Sequence, residues 1–208
     1  MPDPWTSRWN ERFSGEAYAY GEEPNLFLKE QLDKLPPGKI LFPAEGEGRN
    51  AVYAASRGWE AQAFDISSEG QKKALKLAEK KGVRIDYRVG ELQTLGYLPG
   101  EFDVIALIYA HFPPAKRSGL HRSLGELVKP GGLVILEGFS KKHLEYLTKD
   151  EKVGGPRDIE SLFSMEEMHE EFPGFDPDVL EETEIHLHEG EFHVGLGSVI
   201  RFVGRRGK

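Results

Sequence analysis

Ile40-Leu41-Phe42-Pro43-Ala44-Glu45-Gly46-Glu47-Gly48-Arg49-Asn50-Ala51 is the stretch of this chain best spaced for chemistry. A short apolar strand runs into two glycines one residue apart, and a helix follows at once. Glycine at both positions lets backbone amides approach a ligand with no Cβ in the way. The unpaired amides of the new helix point at the same spot. Asp65 ends the next apolar run, Ala61 to Phe64, and is an acceptor suited to a ribose diol. The pairing describes a nucleoside-bearing cofactor at the edge of a parallel sheet. Taken alone, Gly46-x-Gly48-x-x-Ala51 also fits a nicotinamide-dinucleotide fingerprint. Glu45, just before the first glycine, argues for the other choice: it would repel a pyrophosphate and welcome a cationic, amino-acid-like ligand. Two histidines are placed to act as bases, His111 at the end of a long apolar run and His193 entering the last one.

Alternating strands and helices position these residues. Strand 39–44 leads to helix 48–57, closed by Gly58, and strand 60–65 leads to helix 68–81, capped by Ser67 or Ser68 and closed by Gly82. Strand 84–89 follows. Residues 102–110 form a nearly continuous apolar run, as in a strand buried on both faces. Pro113 and Pro114 open a helix to about Val128, and Lys129-Pro130-Gly131-Gly132 turns the chain into strand 133–139. A short helix covers 165–172. Strands near 179–188 and 194–204 close the chain as a hairpin around Glu189-Gly190. Residues 1–36 are polar and aromatic without a clear period and read as a cover segment; 140–163 reads as an irregular lid or loop insertion. The expectation is one α/β domain over 1–208, with a Rossmann-like, doubly wound, seven-stranded sheet. That sheet is mostly parallel and ends in an antiparallel hairpin.

The bulk composition excludes several classes. A net charge of −8 is the wrong sign for a general nucleic-acid binder. No apolar run approaches the roughly 20 residues that span a bilayer, and Met1-Pro2-Asp3-Pro4 lacks the character of a signal peptide, so a cytoplasmic protein is expected. Cysteine is absent, which removes disulfides, thiolate nucleophiles and cysteine metal sites. His186 and His188, alternating with Ile185 and Leu187, read as solvent-facing residues of an edge strand, and no metal site is expected.

Motifs along almost the whole chain carry a resemblance. They are Tyr20-Gly21-x-x-Pro24-Asn25-x-Phe27-Leu28, Glu45-Gly46-Glu47-Gly48-Arg49-Asn50-Ala51, Asp65-Ile66-Ser67, Ala110-His111-Phe112-Pro113, Lys129-Pro130-Gly131-Gly132, Gly154-Gly155-Pro156 and Glu189-Gly190-x-x-His193-x-Gly195. With these the chain resembles class I S-adenosylmethionine-dependent methyltransferases, in the group of tellurite-resistance and thiopurine methyltransferases. It departs from that family's first-strand motif, with Phe42 in place of the acid and Ala44 in place of the first glycine. The resemblance implies S-adenosylmethionine as donor and S-adenosylhomocysteine as product. It implies backbone contacts from Ala44, Gly46 and Gly48, and places Glu45 in the task of the missing acid. Asp65 would hold the ribose, or else only cap the next helix. Ile66 would pack on adenine, and Glu91 with the Leu92 amide would meet the adenine amino group, unless Glu91 is a solvated loop residue. Backbone at Ile108 and Tyr109 would line the sulfonium. His111, Tyr20 and His193 are the catalytic candidates, with Arg12 in the cover, and each histidine has a purely structural alternative. The implied acceptor is a small molecule, with soft sulfur, selenium or tellurium nucleophiles to the fore; neither nucleic acid nor membrane is an expected partner, and oligomeric state is left open. A nicotinamide-dependent oxidoreductase and a non-catalytic S-adenosylmethionine-binding protein are the alternatives.

Overall fold

The structure, a computed structural model, describes residues 3–208. Seven strands form one sheet in the order β3-β2-β1-β4-β5-β7-β6: β1 (Lys39–Pro43), β2 (Glu60–Asp65), β3 (Asp86–Val89), β4 (Phe102–Ile108), β5 (Val128–Phe139), β6 (Phe175–Glu189) and β7 (His193–Arg206). The first five are parallel, while β7 runs antiparallel to both β5 and β6. The expected mixed sheet is the one observed. Side chains alternate across it. Ile40, Phe42, Val104, Ala106 and Ile135 pack on one face beneath α2 (Leu26–Leu32) and α3 (Arg49–Ser56). Leu41, Ile105, Leu107, Val134 and Phe202 pack on the other, beneath α5 (Pro114–Leu127) and α7 (Met165–Glu171). Strand order reverses between β1 and β4, so their carboxyl ends open a crevice at the switch point.

Three stretches differ from the sequence reading. The N-terminal segment is helical: α1 (Pro4–Phe13) starts at Asp3, whose carboxylate accepts from the amides of Trp5 and Thr6, and α2 starts at Asn25, which accepts from the Leu28 amide. The Lys129–Gly132 stretch lies inside β5 as a bulge, because Phe102 pairs with Val128 and Val104 already pairs with Leu133. Residues 140–163 are closed rather than irregular. Ser140 bridges to Phe163, α6 (His143–Leu147) sits inside, and Leu147, Val153 and Leu162 are buried with Phe139 and Leu187.

Two left-handed glycines separate strain from packing. A Cβ on Gly48 (φ +86) would collide with the backbone and side chain of Ala74 on α4 (Ser68–Lys81), whereas Gly82 (φ +69), which closes α4, faces open space. Gly82→Ala should cost about 1–2 kcal/mol from backbone strain alone. Gly48→Ala should cost about 3 kcal/mol or more, since overpacking against α4 adds to that strain. Urea unfolding of the pair checks this; equal losses would remove the α3–α4 contact from the account.

Candidate functional site

The loop after β1 is held in an unusual shape from several sides. Ala44 (φ 51), Gly46 (φ 61) and Gly48 (φ 86) all adopt left-handed backbone, and Tyr109 (φ 51), at the end of β4, does the same. A non-glycine residue there is strained, and such strain collects at ligand sites. The Gly46 amide donates to Asp65 Oδ2 at 3.0 Å, and the Tyr87 hydroxyl donates to the Gly46 carbonyl at 2.6 Å. Asp65 also accepts from the Ser67 amide at 2.8 Å. The cap of α4 is Ser67 itself, which accepts from the Gly70 amide, so Asp65 is free of that duty. Burial pushes the Asp65 carboxyl up to about 6, against the pull of the Ser67, Gly46 and Ile66 amides.

Glu45 decides what the loop can receive. Its Oε1 accepts from the amides of Asn50 (2.9 Å) and Ala51 (2.7 Å), the first-turn donors of α3. In a dinucleotide site such donors face a phosphate. Here an internal carboxylate fills that position. Glu47, buried between the two glycines, adds a second acid, paired with Lys73 at 2.5 Å. A pyrophosphate would meet carboxylates and find the helix amides taken. A ligand carrying a sulfonium and an ammonium, with a ribose diol for Asp65, fits the same edge.

Beside the loop, the ends of β4 and β5 and the turn between β6 and β7 bring together a packed cluster of aromatic rings. The His193 ring lies 4.6 Å from that of Tyr20, 4.7 Å from Tyr109 and 5.1 Å from Phe139. His111 lies on the far side of Phe139 at 5.8 Å. His111 Nδ1 is 3.1 Å from the Ser161 carbonyl, which can only accept, so Nδ1 carries the proton. Its Nε2 is buried without a partner among the described residues, and burial pushes the ring down to about 4. His193 Nδ1 contacts Glu189 Oε2 at 3.0 Å rather than hairpin backbone. Arg49 binds the same Oε2 at 2.9 Å, and Asn25 donates to Glu189 Oε1 at 3.1 Å. Burial alone would raise the Glu189 carboxyl; Arg49 and His193 outweigh it and hold it at about 2.

The N-terminal helix closes the edge. Phe13 packs against Gly46, where a Cβ would come within 2.9 Å of its ring. Ser67 donates to Asn10 at 2.8 Å, and the Arg12 guanidinium sits 3.8 Å over the Phe192 ring.

The structure therefore gathers Ala44, Glu45, Gly46, Gly48, Asp65 and Ile66 at one edge, with Tyr20, Tyr109 and His193 next to them. Ile108 and Leu92 are buried in the core. The Glu91 side chain is exposed and turned to Lys116, 3.3 Å away, the geometry of a solvated loop residue. His186 and His188 are exposed on β6. Sequence reasoning missed the side-chain roles of Arg49, Asn25, Glu189, Phe13 and Asn10. The spacing of Glu189 four residues before His193 was the available signal.

Residues 40–132 match the family described as a methyltransferase domain. The ubiquinone biosynthesis O-methyltransferase of Methylocella silvestris is 31% identical over 97 residues, which are 47% of this chain and 38% of that protein. The match thus spans well under half the length of that curated relative. Magnesium protoporphyrin IX methyltransferase from Synechocystis, solved with bound S-adenosylhomocysteine, superposes with a TM-score of 0.67 at 16% identity, covering 98% of this chain and 95% of that one. This chain has the S-adenosylmethionine-dependent methyltransferase fold. TehB from Haemophilus influenzae shares it, with a TM-score of 0.69 at 14% identity over 97% of this chain and 66% of its own. S-adenosylmethionine is the cofactor that goes with this fold, and the donors and acids of the loop fit it. Among the described residues, no helix is long and apolar enough to cross a membrane.

Glu45 gives the methyltransferase loop a measurable signature. Burial, opposed by the Ala51 amide and the Arg49 charge, pushes its carboxyl up to about 7 from 4.5. The folded state thus holds this proton more tightly than the unfolded chain. Its contribution to stability is complete below pH 4.5 and is lost as pH rises through about 7. Glu45→Gln keeps an oxygen for the α3 amides and removes the titration. Its stability relative to the parent should rise between pH 4.5 and 7 and then level off, as read by urea midpoints. A difference that falls with pH would mean that the amides hold the carboxylate ionised.

Proposed function

We propose that this chain is an enzyme that transfers the methyl group of S-adenosylmethionine to a small-molecule acceptor bound against the aromatic cluster. One observation carries the reading: the α3 amides beside the glycine loop are filled by Glu45, at an edge that also presents Asp65. That arrangement favours a cationic nucleoside cofactor over a phosphorylated one, and disfavours the nicotinamide alternative. When bound, S-adenosylmethionine supplies an electrophilic methyl carbon on a positively charged sulfur. Ala44, Gly46 and Gly48 hold it by backbone, Asp65 takes the ribose hydroxyls, and Ile66 covers the base. Transfer to a soft nucleophile then asks for alignment and exclusion of water. Tyr20, Tyr109, Phe139 and His111 supply both.

Within this reading the acceptor is a sulfur, selenium or tellurium nucleophile. Support comes from the aromatic lining, since polarizable atoms pack well on ring edges. A chain with no cysteine disfavours chemistry that grips a metalloid with several thiols.

S-adenosylhomocysteine at about 100 times its Kd should stabilise the protein by about 2.7 kcal/mol, and NAD should not. Asp65→Ala should abolish most of that gain in thermal unfolding while the variant stays folded. A gain from NAD alone, or an unchanged gain in Asp65→Ala, contradicts the assignment. Gly46→Val is a poor substitute as a test, because a side chain there would strike Phe13 and unsettle the fold itself.

Slower hydrogen exchange across residues 4–32 on adding S-adenosylhomocysteine is also expected, because α1 bridges the glycine loop and Phe192. Identical exchange with and without ligand would leave α1 and α2 as ordinary packing.

A further inference from the structure

The Glu189–His193 pair has an arrangement that alignment of a soft nucleophile does not require. Glu189 is ionised and fully engaged, with Oε2 taking Arg49 and His193 and Oε1 taking Asn25. A carboxylate can only accept, so His193 Nδ1 is the donor in their 3.0 Å contact. The tautomer follows: Nε2 bears the lone pair. That nitrogen makes no hydrogen bond among the described residues, and its ring lies against those of Tyr20 and Tyr109 at the end of β4. A bare imidazole nitrogen, backed by a fixed carboxylate and set among aromatic rings beside the glycine loop, is the constellation of a general base.

We infer that His193 is the base that deprotonates the methyl acceptor, and that the acceptor therefore enters carrying a proton, as a thiol or selenol. The inference rests on the methyltransferase reading and narrows its substrate class. As the acceptor gives its proton to His193 Nε2, the electron pair left on its heteroatom forms the bond to the methyl carbon. The carbon–sulfur bond of the donor breaks, and its pair stays on sulfur as a neutral thioether. The imidazolium is balanced by Glu189, and its proton passes to solvent when the site opens. Glu189 and Arg49 are positioning residues. Arg49 begins the helix that the glycine loop starts, so the base is tied to the cofactor loop through one buried ion pair. His111 is the weaker choice, because its Nδ1 partner is a neutral carbonyl that offers an imidazolium no charge.

The test uses the whole chain with His193→Gln and Glu189→Gln, and three readouts. S-adenosylhomocysteine affinity by calorimetry should change less than about threefold in His193→Gln. Rates toward thiol and phenol acceptors should fall about 10²–10⁴-fold in His193→Gln. The loss toward dimethyl selenide, which has no proton to lose, should be smaller by about tenfold or more. The thiol and phenol arms then tell sulfur from oxygen acceptors. Nitrogen-15 spectra of the histidine rings, assigned by the signal missing in His193→Gln, should show protonated Nδ1 and bare Nε2 at pH 7. That tautomer preference should weaken in Glu189→Gln. Full activity of His193→Gln on proton-bearing acceptors, equal losses on all acceptors, or a proton on Nε2 would overturn the inference. Failure of the parent protein to bind S-adenosylhomocysteine would instead overturn the reading beneath it, and is seen separately in the calorimeter.

Discussion

Arg49 and Glu189 meet at 2.9 Å in a part of the molecule where both are nearly buried, and the aromatic cluster beside the glycine loop is assembled around that contact. Arg49 stands immediately after Gly48, on the helix that the glycine loop starts. Glu189 ends β6 in the hairpin that closes the sheet. Their pair joins two segments 140 residues apart, with Asn25 of α2 as a third member. Asn25 reaches on to Glu137 at 2.6 Å, which also takes the Tyr109 hydroxyl at 3.0 Å and Arg201 at 2.7 Å. Removing one partner of such a buried pair costs about 3–5 kcal/mol, because it leaves a charge without compensation. An exposed pair such as Lys34–Glu30 contributes little by comparison. The network thus sets where His193 and Tyr109 stand, and with them the aromatic cluster.

The cofactor edge follows a different electrostatic rule. Glu45, Glu47 and Asp65 place three carboxyl groups around one short loop, and only Glu47 has a lysine beside it. Two of them, Glu45 and Asp65, are pushed toward the neutral form by burial. An arriving cation would favour their ionised forms, so binding and proton release are coupled there. The same acids turn a helix start that ordinarily suits phosphate into one that suits positive charge.

Much of the fold was legible because its signals are local. β1, β2 and β4 are short apolar runs, Gly82 closes α4, and the final pair of strands is joined by too few residues to be anything but antiparallel. The glycine loop and Asp65 were legible for the same reason. The N-terminal helices were missed although Trp5, Trp9 and Phe13 recur every four residues and stack, Trp9 on Phe13 at 5.5 Å. That stripe is short and aromatic, and it buries only Phe13, so composition masked its period. The bulge in β5 was hidden by Pro130 and its glycines, which read as a turn. The Arg49–Glu189 link could not be read from spacing, because it depends on a hairpin folding back beside a loop far away in sequence. Glu91, by contrast, was placed by analogy, and its side chain faces Lys116 instead.

A crystal structure of the protein with S-adenosylhomocysteine bears most directly on the central claim, that the Glu45-capped loop receives this cofactor with the aromatic cluster beside it. The account predicts the ribose hydroxyls on Asp65, the amino-acid end against the Ala44–Gly48 backbone, and the thioether sulfur facing the rings of Tyr20, Tyr109 and His193. Density for the ligand at any other surface, or at the loop with its sulfur directed away from those rings, would contradict it.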